Sequence, residues 1–320
     1  MPDRLAPLLA DEPFVLLDGG LATELEARGW DLADPLWSAK LLLDPAGAEA
    51  IVAVHRAYLD AGADIVTTAS YQATIPGLLA RGYSEAEARA LLRESVALAR
   101  RAVVESGRES GRSALVAASI GSYGAALADG SEFRGEYSLD RAGLVAFHRA
   151  RLAELVAAGP DLLGFETLPS ATELAAIAEL LDASEGPRAW VSCSLRDDPD
   201  EPTPRLADGT PLAAAVAPLL GHPRIAAIGV NCVRPSLITP ALASLAEVAE
   251  GLPLVAYPNA GERWIADAWA EPPTPLPEWI ALARTWLTLG ARLLGGCCRT
   301  RPAHVTALAQ LREQLRAQLG

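Results

Sequence analysis

Lysine is almost absent from this 320-residue chain, in which Lys40 is the only one. Catalysis through a Schiff base would have to use Lys40, which lies in a predicted helical stretch and not at a strand end. Basic residues are also outnumbered by acidic ones, so the formal net charge is −13. That charge argues against nucleic acid or an anionic membrane as the main partner.

Long apolar runs and targeting signals are missing as well. No run reaches the length of a membrane span, and the N-terminus lacks the basic-then-apolar pattern of a signal peptide, so we expect a soluble, cytoplasmic protein. Cysteine is scarce, and four residues do not make a disulfide framework in a chain of this size. In a reducing compartment, clustered thiols are more typical of a metal site or of catalysis.

Short apolar runs alternate with longer amphipathic segments along the whole chain. Continuous apolar strands are typical of a parallel sheet covered by helices, and eight such β-then-α units predict an α/β fold, a (β/α)₈ TIM barrel. A doubly wound open sheet is the alternative. No change in composition marks a second domain, so residues 1–320 are interpreted as one domain. The predicted strands are 14–17, 64–69, 114–120, 162–165, 189–195, 225–230, 252–257 and 291–294, and the predicted helices are 45–61, 84–106, 138–158, 171–184, 210–220, 235–249, 278–289 and 302–318.

Three of the cysteines follow predicted strands at the end where barrel active sites lie. Cys232 follows the sixth strand, and Cys297 and Cys298 follow the eighth, after Gly295 and Gly296. Alternate strands contribute side chains to one barrel layer, so the three thiols can meet. Adjacent strand residues point to opposite faces, so both neighbouring thiols reach one ion only if the glycines take the chain out of strand geometry. Three thiolates favour zinc and leave a fourth position open for substrate.

The positions of the remaining cysteine and of the histidines argue against other kinds of site. Cys193 lies inside an apolar run and is interpreted as a core residue, and a strained disulfide within the adjacent pair is an alternative for that pair. No histidine falls at the carboxyl end of a strand, which weakens a hydrolytic zinc site and a Ser–His nucleophile. No phosphate-binding or dinucleotide-binding glycine motif is present. The four histidines are His55, His148, His222 and His304.

Two carboxylates share the predicted mouth of the barrel. Asp18 ends the first unit before Gly19 and Gly20, and Glu166 directly follows the fourth apolar run, where an unpaired carboxylate is costly. A turn or cap role for Asp18 and an arginine partner for Glu166 are the alternatives. As site residues they would hold a substrate ammonium, while the backbone N–H groups of the glycines would hold a carboxylate. A thiol, an ammonium and a carboxylate together describe an amino-acid thiol.

Long connections follow the third and seventh strands, at 122–137 and 259–277. Both would lie on the active-site face, where each is either a lid or an ordered surface loop. A third segment, 197–204, is acidic and proline-rich, and we expect it to be solvated.

These residues and motifs resemble the homocysteine S-methyltransferases, zinc (β/α)₈ enzymes that make methionine. The cysteine trio in this order is a highly specific signature of that family. The matching segments run almost end to end: Leu17-Asp-Gly-Gly-Leu-Ala-Thr-Glu-Leu25, Thr68-Ala-Ser-Tyr-Gln-Ala-Thr74, 123–137, Phe165-Glu-Thr167, Gly229-Val-Asn-Cys232, Tyr257-Pro-Asn-Ala-Gly-Glu262 and Gly295-Gly-Cys-Cys-Arg299.

The resemblance implies a Zn²⁺ ion on three thiolates with an L-homocysteine site beside it. The implied zinc ligands, through which catalysis would proceed, are Cys232, Cys297 and Cys298. The predicted substrate-binding residues are Asp18, Gly19, Gly20, Glu166, Tyr71, Asn231 and Asn259.

The methyl donor divides the family. Betaine-using relatives carry a C-terminal extension and folate- or cobalamin-dependent relatives carry further domains, whereas this chain ends one predicted helix after Cys298. We therefore expect S-methylmethionine or S-adenosylmethionine, with a betaine-type or selenocysteine methyltransferase as the alternative. A thiol redox protein or a metal-binding barrel without enzymatic activity is the alternative of another class. Aromatic rings favour a sulfonium, and the candidates, which otherwise serve packing, are Trp37, Tyr123, Tyr137 and Trp264.

Overall fold

Eight parallel strands follow one another around a closed barrel in the computed structural model, which describes residues 3–107, 114–198, 201, 203–265 and 268–319. The first strand pairs with the eighth, and a parallel bridge between Leu17 and Ile65 joins the first to the second. The predicted TIM barrel is therefore confirmed. The barrel strands are β1 (Val15–Leu16), β2 (Ile65–Thr67), β3 (Leu115–Gly121), β4 (Leu162–Leu168), β5 (Ala189–Cys193), β6 (Ile225–Asn231), β7 (Leu254–Tyr257) and β8 (Ala291–Leu294), and a separate antiparallel pair, Arg263–Ile265 and Ala268–Ala270, lies between β7 and β8 in the chain.

Helices surround the barrel, and several begin where the sequence supplies a cap. Asp44 accepts from the N–H of Gly47 at the start of α3, and Ser84 and Glu87 form a capping box at the start of α5. The helices are α1 (Leu5–Asp11), α2 (Leu21–Ala27), α3 (Pro45–Asp60), α4 (Ile75–Leu79), α5 (Glu85–Glu105), α6 (Tyr123–Leu127), α7 (Arg141–Ala157), α8 (Ala171–Asp182), α9 (Leu212–Ala215), α10 (Pro235–Ala246), α11 (Leu276–Thr288) and α12 (Pro302–Leu319). No helix within the described ranges is both long and apolar enough to cross a membrane.

The predicted helix 210–220 is wrong in length. The chain forms only α9 there and then a short 3₁₀ helix, Ala217–Leu219. Pro218 explains the break, because proline lacks the N–H that a continuing helix needs and its ring clashes with the preceding turn.

Alternate strand residues divide between two apolar clusters. Leu16, Val66 and Phe165 belong to the cluster between the strands and the surrounding helices. Their neighbours Leu17 and Ile65 belong to the cluster that fills the barrel, together with Leu5 and Leu8 of α1. This two-layer burial explains why the strands are continuous apolar runs.

The fourth strand runs further than the sequence predicted. β4 continues to Leu168, with a shift in its pairing to β5 between Phe165 and Leu168. Thr167 lies at this irregularity in a left-handed conformation, with φ +59°. Glu166 is therefore a strand residue that lines the cavity described below, not the first residue after the strand.

Candidate metal and substrate site

The carboxyl ends of the barrel strands open into a cavity of about 1010 Å³. All but one of the predicted site residues line it; the exception is Asn259, which is buried in a turn where its carboxamide accepts from the N–H of Gly261. The predicted residues that line the cavity are Asp18, Gly19, Gly20, Tyr71, Glu166, Asn231, Cys232, Cys297 and Cys298. A substrate-binding role for Asn259 is not supported by this geometry.

The three thiols converge as the sequence predicted. Their Sγ atoms all lie within 4.8 Å of one another, and the Sγ atoms of Cys232 and Cys298 are 3.5 Å apart. Cys193 is fully buried in the outer apolar cluster, which confirms its interpretation as a core residue. The converging trio is a donor set that can hold a soft metal ion.

The backbone reaches this arrangement in a way the sequence did not predict. Cys232 itself has a left-handed conformation, with φ +53°, directly after β6. Gly295 and Gly296 are needed for close approach: a Cβ on Gly295 would lie 2.7 Å from the carbonyl oxygen of Asp18, and one on Gly296 would lie against Thr300. The glycines therefore let the end of β8 pack directly against the first unit of the barrel.

The thiols also interact electrostatically. The pKa of Cys298 is lowered because the thiols of Cys232 and Cys297 donate hydrogen bonds to it, and the pKa of Cys232 is raised because its proton is held between its two neighbours. One thiolate is therefore stabilised by the other two thiols. Three thiolates at this spacing repel one another and require a cation among them.

Asp18 and Glu166 face the cavity from β1 and β4. Burial raises the pKa of Asp18 to about 8, against hydrogen bonds from the backbone and the hydroxyl of Thr67 at 2.8 and 3.0 Å. Burial also raises the pKa of Glu166 to about 7, although Ser119 and Tyr257 donate to its carboxylate, Tyr257 at 3.0 Å. Because the charge of Glu166 also raises the pKa of Asp18, the pair is suited to a cation.

Asn231 connects the carboxylates to the thiols. Its Oδ1 accepts from the N–H of Thr167 and from the hydroxyl of Ser192, both at 2.8 Å. Its Nδ2 donates to Thr167 Oγ1 at 2.8 Å and lies 3.9 Å from Cys297 Sγ. One buried amide therefore fixes the left-handed residue after Glu166 and approaches a candidate metal ligand.

Only some of the predicted aromatic residues reach the cavity. Trp37 and Tyr71 line it and pack edge to face, with ring centroids 6.2 Å apart. Tyr123 and Tyr137 are not among the described residues that line the cavity, and they pack edge to face against each other. The side chain of Trp264 lies outside the described part of the chain.

A buried ionic network holds the long connection after β3. Glu173 of α8 accepts from the N–H of Tyr123 at 2.7 Å, from His148 Nε2 at 2.8 Å and from the Tyr137 hydroxyl at 2.9 Å. Arg151 of α7 donates to His148 Nδ1 at 2.9 Å and to the carbonyl of Gly121 at 2.6 Å. The segment 122–137 is therefore an ordered wall of the cavity, anchored at both ends.

Comparison with known proteins agrees with this geometry. Residues 15–312 match the family model for homocysteine S-methyltransferase. The chain is 47% identical to a homocysteine S-methyltransferase of Escherichia coli over 95% of its length and 97% of the relative, and 43% identical to one of Bacillus subtilis, YbgG, over 94% and 95%. The chain belongs to the homocysteine S-methyltransferase family.

The structural comparison covers the same range. The metallated form of the E. coli homocysteine methyltransferase MmuM superposes with a TM-score of 0.84 at 46% identity, over 96% of this chain and 99% of that one. A barrel of this family therefore accounts for the whole described fold, and the protein is a methyltransferase that acts on homocysteine.

Several residues of this homocysteine methyltransferase site were not predicted from the sequence. Thr67, Ser119 and Tyr257 hold the two carboxylates, and Thr300 accepts from the N–H of Gly20 at 3.2 Å. Serine and threonine are common in strands, so their composition carries no signal. The pairing of β2 and β3 with their neighbours is what brings Thr67 to Asp18 and Ser119 to Glu166.

Proposed function

We propose that this methyltransferase binds Zn²⁺ through Cys232, Cys297 and Cys298 and transfers a methyl group from a sulfonium donor to L-homocysteine. The observation that carries the proposal is the convergence of three Sγ atoms within 4.8 Å at the wall of a large cavity. Zinc suits a set of three thiolates and, when bound, keeps a fourth thiol deprotonated near neutral pH.

The surrounding side chains fit the rest of homocysteine. Asp18 and Glu166 present two buried carboxyl groups, and a substrate ammonium supplies the positive charge that both lack. Gly20 has no room for a side chain, since a Cβ there would lie 2.6 Å from the carbonyl oxygen of Cys297. Its N–H already donates to Thr300, so a main-chain contact to the substrate carboxylate falls to Gly19.

The charge of the cavity supports a cationic donor. Six carboxyl groups and one guanidinium line it within the described residues, and the guanidinium, Arg299, is paired with Glu262 at 2.9 Å. Two of the six, Asp34 and Asp129, are paired with Arg81 and Arg134, and the four that remain favour S-methylmethionine or S-adenosylmethionine and disfavour an anionic folate. In the transfer, a homocysteine S–CH₃ bond forms as the donor CH₃–S⁺ bond breaks, and the bonding electron pair stays on the donor sulfur as a neutral thioether.

The test is a methionine assay with purified, zinc-loaded protein. Homocysteine is supplied with S-methylmethionine, S-adenosylmethionine or betaine, and selenocysteine replaces homocysteine in a parallel series. We expect methionine with at least one sulfonium donor. No product with any donor would contradict the proposed reaction, and product from betaine alone would contradict the donor class.

Cysteine variants distinguish a loss of bound zinc from a loss of stability. Cys298→Ala should lose bound zinc, measured by elemental analysis, and lower kcat by more than about 100-fold, because a ligand is gone. Cys193→Ala is the matched control; it should keep its zinc and cost about 1 kcal/mol of stability, since Cys193 lies in the core. Full turnover by a zinc-free Cys298→Ala enzyme would remove zinc from the mechanism.

A further inference from the structure

One cavity carboxylate has no role in the proposed site. Asp18 and Glu166 are committed to the homocysteine ammonium, and Glu26 is exposed to solvent. Two more are paired with arginines: Asp34 with Arg81, and Asp129 with Arg134 at 3.5 Å. The sixth, Glu132, belongs to the 3₁₀ helix Ser131–Phe133 on the anchored segment 122–137.

One oxygen of the Glu132 carboxylate has no hydrogen-bond donor among the residues that the structure describes. This atom, Oε2, is buried. Burial raises the pKa of Glu132 against a hydrogen bond from its own backbone N–H and the charge of Arg134, and the charge of Asp129 adds to the effect of burial. A buried acceptor left unsatisfied costs free energy, so a group from a ligand is the natural complement.

The backbone beneath Glu132 is fixed in place. Its carbonyl oxygen accepts from the hydroxyl of Ser194 at 2.8 Å. Gly124 packs so closely that a Cβ there would lie 2.5 Å from the N atom of Glu132. The carboxylate is therefore presented to the cavity by an ordered wall, as a preformed recognition group needs to be.

Glu132 shares the part of the cavity next to the thiols. Burial raises the pKa of Tyr71, and the charges of Glu132, Cys232 and Glu166 add to that effect, so all three groups lie near the Tyr71 hydroxyl on the cavity wall. Asp18 and Glu166 are the carboxylates proposed for the homocysteine ammonium, so Glu132, with its unsatisfied buried oxygen, is the cavity carboxylate left for the donor. Glu132 is thus placed for the second substrate and not for the first.

We propose that Glu132 binds the α-ammonium group of an amino-acid sulfonium donor; this assignment rests on the methyl transfer proposed above. The ammonium group is a better partner for the Glu132 carboxylate than the sulfonium group, for a chemical reason. The sulfonium loses its charge as the methyl group leaves, so a carboxylate against it would stabilise the ground state and slow the reaction. The ammonium keeps its charge throughout, so Glu132 contributes equally to the ground state and the transition state.

Uniform binding of this kind has a kinetic signature. Glu132→Gln should raise KM for S-methylmethionine by about 10-fold to 100-fold, with kcat and the KM for homocysteine within twofold of wild type. Glu132→Asp should recover part of the donor affinity. Glu136→Gln is the matched control, because it makes the same charge change on the same segment at an exposed position outside the cavity wall.

Each other outcome overturns the assignment. An unchanged donor KM removes Glu132 from the donor site, and a lower kcat at unchanged KM places it at the reacting sulfur. A higher KM for homocysteine places it with the first substrate. Zinc content and melting temperature are measured for each variant, and a wild-type enzyme that makes no methionine contradicts the proposed reaction instead.

Discussion

Asn231 shows how much of this site depends on one buried side chain. The sequence places it directly before Cys232, and the family resemblance implies that it binds substrate. In the fold, its carboxamide makes hydrogen bonds to Thr167 and Ser192 and approaches the sulfur of Cys297. These contacts join β4, β5, β6 and the turn after β8, so one amide links the strand that carries Glu166 to a thiol of the trio.

Asn231→Ala should therefore damage both stability and substrate binding. The N–H of Thr167 would lose its acceptor while buried, which costs about 2 kcal/mol in the free energy of unfolding. Denaturant unfolding measures that loss, and steady-state kinetics should show a raised KM for homocysteine. Asn259→Ala is the comparison at another strand-end asparagine; an equal rise in KM there would return Asn259 to the substrate-binding residues.

At this scale the residue pattern predicted the groups that carry charge or sulfur, and the family resemblance added Tyr71 and Asn231, which also line the cavity. The three cysteines, Asp18 and Glu166 follow apolar runs, where polar residues are conspicuous. Ser119 and Thr67 could not be predicted, because their contacts to the carboxylates span 47 and 49 positions of sequence. Such contacts depend on strand register, which a single sequence does not specify for polar pairs.

At the scale of elements, α7 and α8 set the position of the cavity wall. Glu173 is completely buried and accepts from three donors, two of them on the segment 122–137. The sequence left open whether this segment is a lid or an ordered loop, and the network favours order. That wall carries Glu132 and is therefore linked to the proposed donor contact.

Glu173→Gln should loosen this wall. The NH₂ group of the glutamine would replace a carboxylate oxygen, so at least one N–H or O–H group that now donates to Glu173 would meet another donor. The negative charge that interacts with Arg151 would also be lost. We expect a loss of about 3 kcal/mol in the free energy of unfolding and faster proteolysis within 122–137. Glu179→Gln on the same helix removes only a surface pair with Arg141 and should cost less than about 0.5 kcal/mol. Equal protease resistance in both variants would show that Glu173 does not anchor the segment.

The prediction of elements succeeded where burial leaves a long pattern. The eight barrel strands were predicted within a few residues, because a strand covered on both faces is a continuous apolar run, whereas the short pair Arg263–Ile265 and Ala268–Ala270 was missed. Short helices were missed, among them α1, α2, α4 and α6, since five to seven residues hold too few turns for a periodic pattern. α1 nevertheless matters, because Leu5 and Leu8 pack with the residues that fill the barrel.

At the scale of the whole molecule, the proposed zinc site joins two parts of the barrel that are not neighbours in the sheet. Cys232 follows β6 and the other two ligands follow β8, with β7 between them. The end of β8 also packs on the first unit, where the N–H of Gly296 donates to the carbonyl of Asp18 at 2.9 Å. A bound ion would therefore link the region where the barrel closes to its sixth strand.

Metal binding to the folded state alone should stabilise the whole barrel. We expect chelation to lower the melting temperature by about 5 to 10 °C and added zinc to restore it, since an ion at 1,000 times its Kd adds about 4 kcal/mol. Differential scanning calorimetry measures the shift. Cys298→Ala should melt near the chelated wild type and show no response to zinc, whereas Cys193→Ala should keep the full response. A zinc-dependent shift of equal size in Cys298→Ala would place the stabilising ion away from the cysteine trio, because the remaining two thiols cannot hold it as tightly as three.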